Sequence, residues 1–231
     1  MVELFPVGFE EVELEGELEL AAYTDAAGEA RLREVFDSVR SSGVEPGWES
    51  AWKDFHRPVR IGPLWVGPPW EGPPADALAV VIDPGRAFGT GGHATTRLCL
   101  EFLLGETPGS LLDIGCGSGV LAVAAARLGF APVVAVDADP VAVEAAEENA
   151  ARNGVVVEAR VLDALAGPLP TVSLAVANIA LRPVEALGPL VRSRRLIASG
   201  YLAAEDPELP GWRRIERRRL DEWAADLYER L

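Results

Sequence analysis

Three glycines at every second position, in Asp113-Ile114-Gly115-Cys116-Gly117-Ser118-Gly119, stand between the apolar pair Leu111-Leu112 and a helix predicted over Val120–Leu128. Residues without a Cβ let a backbone turn sharply and come close to a ligand, and the helix that follows aims its free N–H groups at the same place. The chemistry is that of a nucleotide-type cofactor site. A dinucleotide fingerprint, G-x-G-x-x-G, would need its third glycine at position 120, which is Val120. The spacing here is G-x-G-x-G behind the acidic Asp113, the pattern usual for S-adenosylmethionine.

Further candidates follow the turn. Asp137 ends a predicted strand, Pro132–Val136, eighteen residues after Gly119, where a carboxylate can accept both ribose hydroxyls. The alternative, a helix cap, is better filled by Asp139, just before Pro140 at the start of a helix running to about Arg152. A third strand over Val155–Val161 leads to Asp163, which can take an adenine amino group or be a solvated loop aspartate. Ahead of the glycine turn, Asp83–Thr96 is a glycine-rich loop with Phe88, Gly89, Thr90 and His93, ending in Thr95 and Thr96, which can cap a helix over Arg97–Leu104. A fourth strand, Ser173–Asn178, places Asn178 at a strand end, where ligands sit in open α/β sheets. Cys116 reads as a small residue that fits the turn and not as a nucleophile.

These residues need a sheet to carry them, and the pattern supplies one. From about 75 to 231 strands and helices alternate, with a helix over Val184–Val191, a fifth strand over Leu196–Tyr201 and a closing antiparallel pair, Arg214–Leu220 and Ala224–Arg230. Residues 1–47 read as a small ββα region: a hairpin of Gly8–Leu14 and Glu17–Thr24, then a helix Glu29–Val39. Residues 48–74, with four tryptophans among six prolines, read as a linker with aromatic anchors.

Composition narrows the function classes. The chain has 231 residues, 49% hydrophobic and 25% charged, and is globular. It has two cysteines and two histidines, too few for a disulfide framework or a histidine-rich metal site. No apolar run of membrane-spanning length and no basic leader is present, so a soluble cytoplasmic protein is expected. A net charge of −15 argues against broad nucleic-acid or anionic-membrane binding and favours basic or neutral partners. The local exception, Arg213-Arg214-Ile215-Glu216-Arg217-Arg218-Arg219, reads as a solvated strand face balanced by acids, with RNA contact as the alternative.

Together these residues resemble the ribosomal protein L-eleven methyltransferases, the PrmA family. Trp52-Lys53-Asp54-Phe55-His56-Arg57-Pro58-Val59 is similar to the family's linker motif, and Asp83–Thr96 to its A-F-G-T-G-x-H-x-T-T loop. Gly115–Gly119, Asp137 and Asn178-Ile179 are similar in kind and order, over about 48–202. The resemblance implies a doubly wound, seven-stranded class I methyltransferase sheet, mostly parallel with an antiparallel C-terminal strand. It implies S-adenosylmethionine as cofactor and a basic ribosomal protein as substrate, methylated on amino groups. Phe88, Gly89, Thr90, His93 and Thr95 would line the methionine half, with Asp113, Gly115 and Gly117 beneath it. Asp137 would hold the ribose, Asp163 the adenine and Asn178 the acceptor amine, with His93 a candidate base. The N-terminal region is shorter than the family's ferredoxin-like domain, and Ala203–Gly211 lacks a helix the family has before its last strands. A related methyltransferase with another acceptor, protein or small molecule, and a non-catalytic binding module are the competing readings. A nicotinamide-dependent oxidoreductase fits poorly because of Val120.

Overall fold

The computed structural model describes residues 10–14, 17–21, 33, 39, 57–83 and 91–231. The chain divides into two compact units, 1–49 and 50–231. In the first, β1 (Glu10–Leu14) and β2 (Glu17–Ala21) pair antiparallel from Leu14↔Glu17 to Glu10↔Ala21. The helix expected over Glu29–Val39 lies, apart from Arg33 and Val39, outside the described residues.

The second unit is built on a seven-stranded sheet among the described residues. Its strands are β6 (Leu111–Ile114), β7 (Val133–Asp137), β8 (Glu158–Val161), β9 (Thr171–Asn178), β10 (Arg192–Leu202), β11 (Trp212–Leu220) and β12 (Trp223–Arg230). They lie in the order β11-β12-β10-β9-β6-β7-β8. From β8 to β10 the pairings are parallel, whereas β12 runs antiparallel to both β10 and β11. The chain starts at β6, steps outward through β7 to β8, then returns to add β9 and β10 on the other side. That reversal between β6 and β9 is the switch point at which doubly wound sheets open a crevice.

Alternation along the strands gives the sheet two apolar faces. Leu111, Val133, Ala135, Leu174, Val176 and Ile197 bury against α1 (Ala94–Gly105), α2 (Val120–Arg127) and α3 (Pro140–Arg152). Leu112, Ile114, Val134, Val136, Ala175, Ala177, Leu196 and Ala198 bury against the short α4 (Leu181–Leu187), with Leu169 and Leu209. The helix expected over Val184–Val191 thus starts three residues earlier, at Leu181, and stops at Leu187. The cap residue is Ala180, which supplies no side-chain bond.

Part of 48–74, whose tryptophans and prolines suggest a linker, is strand. β3 (Val59–Ile61), β4 (Leu64–Gly67) and β5 (Leu78–Val81) form a three-stranded sheet, antiparallel then parallel. Ile61, Leu64, Val66 and Val80 join the α1–α3 core, and Trp65, outside that cluster, is also buried. The strands are three to four residues long, so no period of two could announce them.

The arginine run lies on β11 among acids. Arg213 meets Glu229 at 2.9 Å, Arg214 meets Asp206, and Arg218 meets Glu216 at 2.7 Å while covering the Phe102 ring. Arg217 grips the fully buried Asp226 with two bonds of 2.7 and 2.8 Å, and Tyr201 and Tyr228 also donate to that carboxylate. Four of the run's five arginines are therefore neutralised in place.

Candidate active site

The carboxyl ends of the parallel strands share one edge of the sheet, and the sequence candidates fall along it in strand order. Asp163 follows β8, Asp137 ends β7, the glycine turn follows β6 and Asn178 ends β9. Neighbouring strands lie about 4.8 Å apart, so this row spans roughly 14 Å.

The turn itself is left-handed at all three glycines, with φ of 70° at Gly115, 52° at Gly117 and 78° at Gly119. Gly119 caps α2, and a Cβ there would lie 2.8 Å from the Cβ of Ala146 on α3. Gly115 and Gly117 are half-open, whereas Cys116, Ser118 and Gly119 are buried. The turn thus presents bare backbone at Gly115 and Gly117. Burial pushes the Cys116 thiol up, away from the thiolate a nucleophile needs.

Asp113 has 1% of its surface exposed, and its Oδ2 accepts the Ala122 N–H at 3.0 Å. Gly119 has no side chain to cap α2, and Asp113 does so from the preceding strand. Burial pushes its carboxyl up to about 7, the bond from Ala122 pulls down and the nearby Asp137 adds a smaller push upward. Asp113 therefore lies under the turn and shapes it from behind.

Asp137 is half-buried beside the turn. Its Oδ2 accepts from Gly117 N and its Oδ1 from Asp139 N, both at 3.0 Å. A carboxylate oxygen has two acceptor sites, so each keeps capacity for a hydroxyl. The cap of α3 is Asp139, whose Oδ1 accepts from Val141 N at 2.9 Å with Pro140 at the first helical position. Asp163 is exposed and its Oδ1 accepts from Leu165 N at 2.9 Å, which fixes the turn after β8.

The loop candidates Phe88, Gly89 and Thr90 lie outside the described residues. At the loop's end α1 starts at Ala94, three residues ahead of the expected Arg97, and the threonines do not cap it. The cap is His93, whose Nδ1 lies 3.4 Å from Thr95 N and 2.8 Å from Thr95 Oγ1. An imidazole nitrogen at the right height accepts as a hydroxyl would, and Thr95 and Thr96 then fall in the first turn, both buried. The His93 ring also meets Trp223, at the start of β12, edge to face at 4.9 Å. Its Nδ1 is thus engaged with Thr95 at the loop's end.

Asn178 is half-buried, and its Nδ2 donates to Thr96 Oγ1 at 3.4 Å. That contact engages the amide nitrogen with α1. In the sequence Thr96 reads only as a cap. A second residue without a sequence signal of its role is Asn149 on α3, 1% exposed, whose Nδ2 donates to Ser118 O at 3.0 Å and whose Oδ1 accepts from Asp83 N at 2.9 Å. It ties the glycine turn to the residue that opens the 83–96 loop. Two asparagines four apart, Asn149 and Asn153, on a helix otherwise rich in alanine are the one hint, and Asn153 likewise bonds Val81 through both N and O.

Half-open glycine backbone thus lies between an acceptor carboxylate on one side and an amide on the other, groups that could hold a nucleoside-bearing cofactor. The family described as "Ribosomal protein L11 methyltransferase (PrmA)" matches residues 12–210. A protein named ribosomal protein L11 methyltransferase in Symbiobacterium thermophilum is 44% identical over 201 residues, covering 75% of this chain and 64% of its own length. A namesake in Aliivibrio salmonicida is 39% identical, covering 78% of this chain and 67% of its own. A crystal structure of a ribosomal protein L11 methylase from Lactobacillus delbrueckii subsp. bulgaricus superposes with a TM-score of 0.69 at 29% identity, over 76% of this chain and 99% of the other. The chain spans about two thirds of the length of the curated relatives it matches. By the extent of the family match and the identity of these relatives, this chain belongs to the ribosomal protein L11 methyltransferase family.

Proposed function

We propose that the protein is an S-adenosylmethionine-dependent N-methyltransferase that modifies lysine amino groups of ribosomal protein L11 in the cytoplasm, with residues 1–47 taking part in substrate recognition. The single observation that carries this reading is the row Asp163, Asp137, Gly115/Gly117, Asn178 along one sheet edge. S-adenosylmethionine, when bound, supplies a methyl group on a positively charged sulfonium. The chain's own residues bind and align. Asp163 is set to receive the adenine amino group and Asp137 the ribose hydroxyls, while the bare backbone of Gly115 and Gly117 lets the cofactor lie close. Phe88, Gly89, Thr90 and Thr95 complete the methionine side.

In-line displacement needs little covalent help, so holding donor and amine close and aligned is the main task. The acceptor amine has to be neutral. A lysine ordinarily near ~10.4 loses its proton more readily in an apolar pocket beside a fixed positive charge. Asn178 Oδ1, the amide atom that Thr96 does not engage, and the adjoining Ile179 carbonyl would accept the amine's N–H bonds and aim its lone pair. A net charge of −15 suits a basic ribosomal protein. Isothermal calorimetry tests the cofactor half: S-adenosylmethionine binds more tightly than a nicotinamide dinucleotide, and Asp137→Ala weakens it about 10- to 100-fold, the loss of hydrogen bonds to a charged acceptor. Tighter dinucleotide binding would overturn the reading.

A further inference from the structure

The turn Asn178-Ile179 lies between two glycines that the cofactor motif does not explain together. On one side, a Cβ at Gly115 would lie 2.5 Å from Ile179 Cγ2. On the other is Gly200, inside β10. There the β10–β12 register shifts between Ser199 and Tyr201, so Gly200 is the extra residue of a bulge, with φ of 101°. A Cβ at Gly200 would lie 2.2 Å from the Ile179 carbonyl oxygen, 2.6 Å from its carbon and 2.9 Å from its nitrogen. All three are backbone atoms, so no side-chain rotation relieves the clash.

The neighbouring bonds fix the same peptide. β9 and β10 run in register through Asn178↔Ser199, and Ile179 N extends the ladder by one rung to Ser199 O at 2.9 Å. Ser199 is fully buried, and its Oγ donates to Ala224 O on β12 at 2.7 Å. Ile179 precedes Ala180, the cap of α4, so its carbonyl lies outside that helix's ladder. Among the described residues it accepts no N–H. The peptide that carries Asn178 into the site is thus set by how closely β10 can approach it, and only a residue with no Cβ permits this approach.

We propose that Gly200 is a positioning residue for the acceptor: the bulge at Gly200 seats the Ile179 peptide and thereby sets the direction of the Asn178 amide and the Ile179 carbonyl toward the amine. The proposal rests on the methyltransferase reading and adds to it a residue of β10 that touches neither cofactor nor acceptor. Gly200 lies two strands from the β6 glycine turn and is linked to it through Ile179, whose side chain packs beside Gly115.

The test uses the full chain, S-adenosylmethionine and purified ribosomal protein L11, with kcat, acceptor KM, cofactor Kd and thermal melting read together. Gly200→Ala is expected to lower kcat about 10- to 100-fold, with cofactor Kd within threefold of the parent. A merely structural role would lower folded fraction and cofactor binding along with turnover. Ser199→Ala, which keeps the Gly200 slot but removes the Oγ bond that ties the bulge to β12, is expected to fold and lower kcat about three- to tenfold. If Gly200→Ala folds and keeps kcat within twofold, or loses cofactor binding in step with activity, the proposal is overturned. If Gly200→Ala does not fold, Ser199→Ala decides: reduced kcat with intact cofactor binding supports it, and unchanged kcat overturns it. A parent protein with no turnover overturns the methyltransferase reading and this proposal together, whereas an active parent with indifferent variants overturns this proposal alone.

Discussion

On the proposed reading Asn178 carries the acceptor half of the site with a single amide, and its Nδ2 makes one long contact of 3.4 Å to Thr96. Asn178→Ala removes the acceptor for the amine's N–H while leaving the glycine turn and Asp137 intact. Its expected effect is a fall in kcat of about 10²- to 10³-fold, the range for loss of one preorganised hydrogen-bonding group at a reacting centre. Cofactor affinity by calorimetry should stay within a few-fold. Thr96→Val, which keeps the shape but removes the oxygen, leaves the amide free to turn and is expected to cost about threefold to tenfold in kcat. The place of Asn178 at the end of an apolar strand is legible in the sequence. The contact of Thr96 with it is not, because two adjacent threonines after a glycine loop read as caps. The side chain that caps is His93, and a histidine at that position carries no capping signal in its type. Asn149 escapes for a related reason: a buried asparagine in a helix is invisible until its partners, Ser118 and Asp83, are known to lie beside it.

Asp113 couples two elements, since it sits in β6 and caps α2. Its carboxyl is raised to about 7 by burial, against an ordinary value of 3.8. The folded state therefore binds the proton more tightly than the unfolded chain. Its contribution to stability is fully present below the unfolded value and is lost as pH rises from there through about 7, at roughly 1.4 kcal/mol for each pH step crossed between the two values. Asp113→Asn keeps an oxygen for Ala122 N without the charge. It should flatten the dependence of denaturant midpoint on pH between 4 and 7 and leave the protein at least as stable above 7. An unchanged pH dependence would place the charge elsewhere. At this scale the longer elements are legible in the sequence: α3 begins and ends at Pro140 and Arg152 as its cap and proline predict, and the antiparallel pair β11–β12 lies where expected. Elements of three or four residues, β3 to β5, are not, because the tryptophans and prolines around them dominate any window that short.

In the whole molecule, one topological fact organises the site. The order β8-β7-β6-β9 places Asp163, Asp137, the glycine turn and Asn178 in a line, although the chain visits the glycine turn first. No linear pattern contains that line; it follows from the sheet reversing between β6 and β9. The sequence supports each residue separately and the resemblance supplies their grouping. The sheet brings them to one edge, with Asp163, Asp137 and the glycine turn on one side of the reversal and Asn178 on the other. The second face of the sheet is thinner, with only α4 as a regular helix among the described residues, which leaves the α1–α3 face to supply most of the buried core.

Methyl transfer itself is the most direct test. The protein is incubated with S-adenosylmethionine labelled in its methyl group and with ribosomal protein L11, and the products are mapped by tandem mass spectrometry. Label is expected on lysine amino groups of that protein, abolished or strongly reduced by Asn178→Ala. Absence of label with a cofactor that binds, or label carried on oxygen or carbon atoms in place of nitrogen, would contradict the assignment of this chain as a lysine N-methyltransferase.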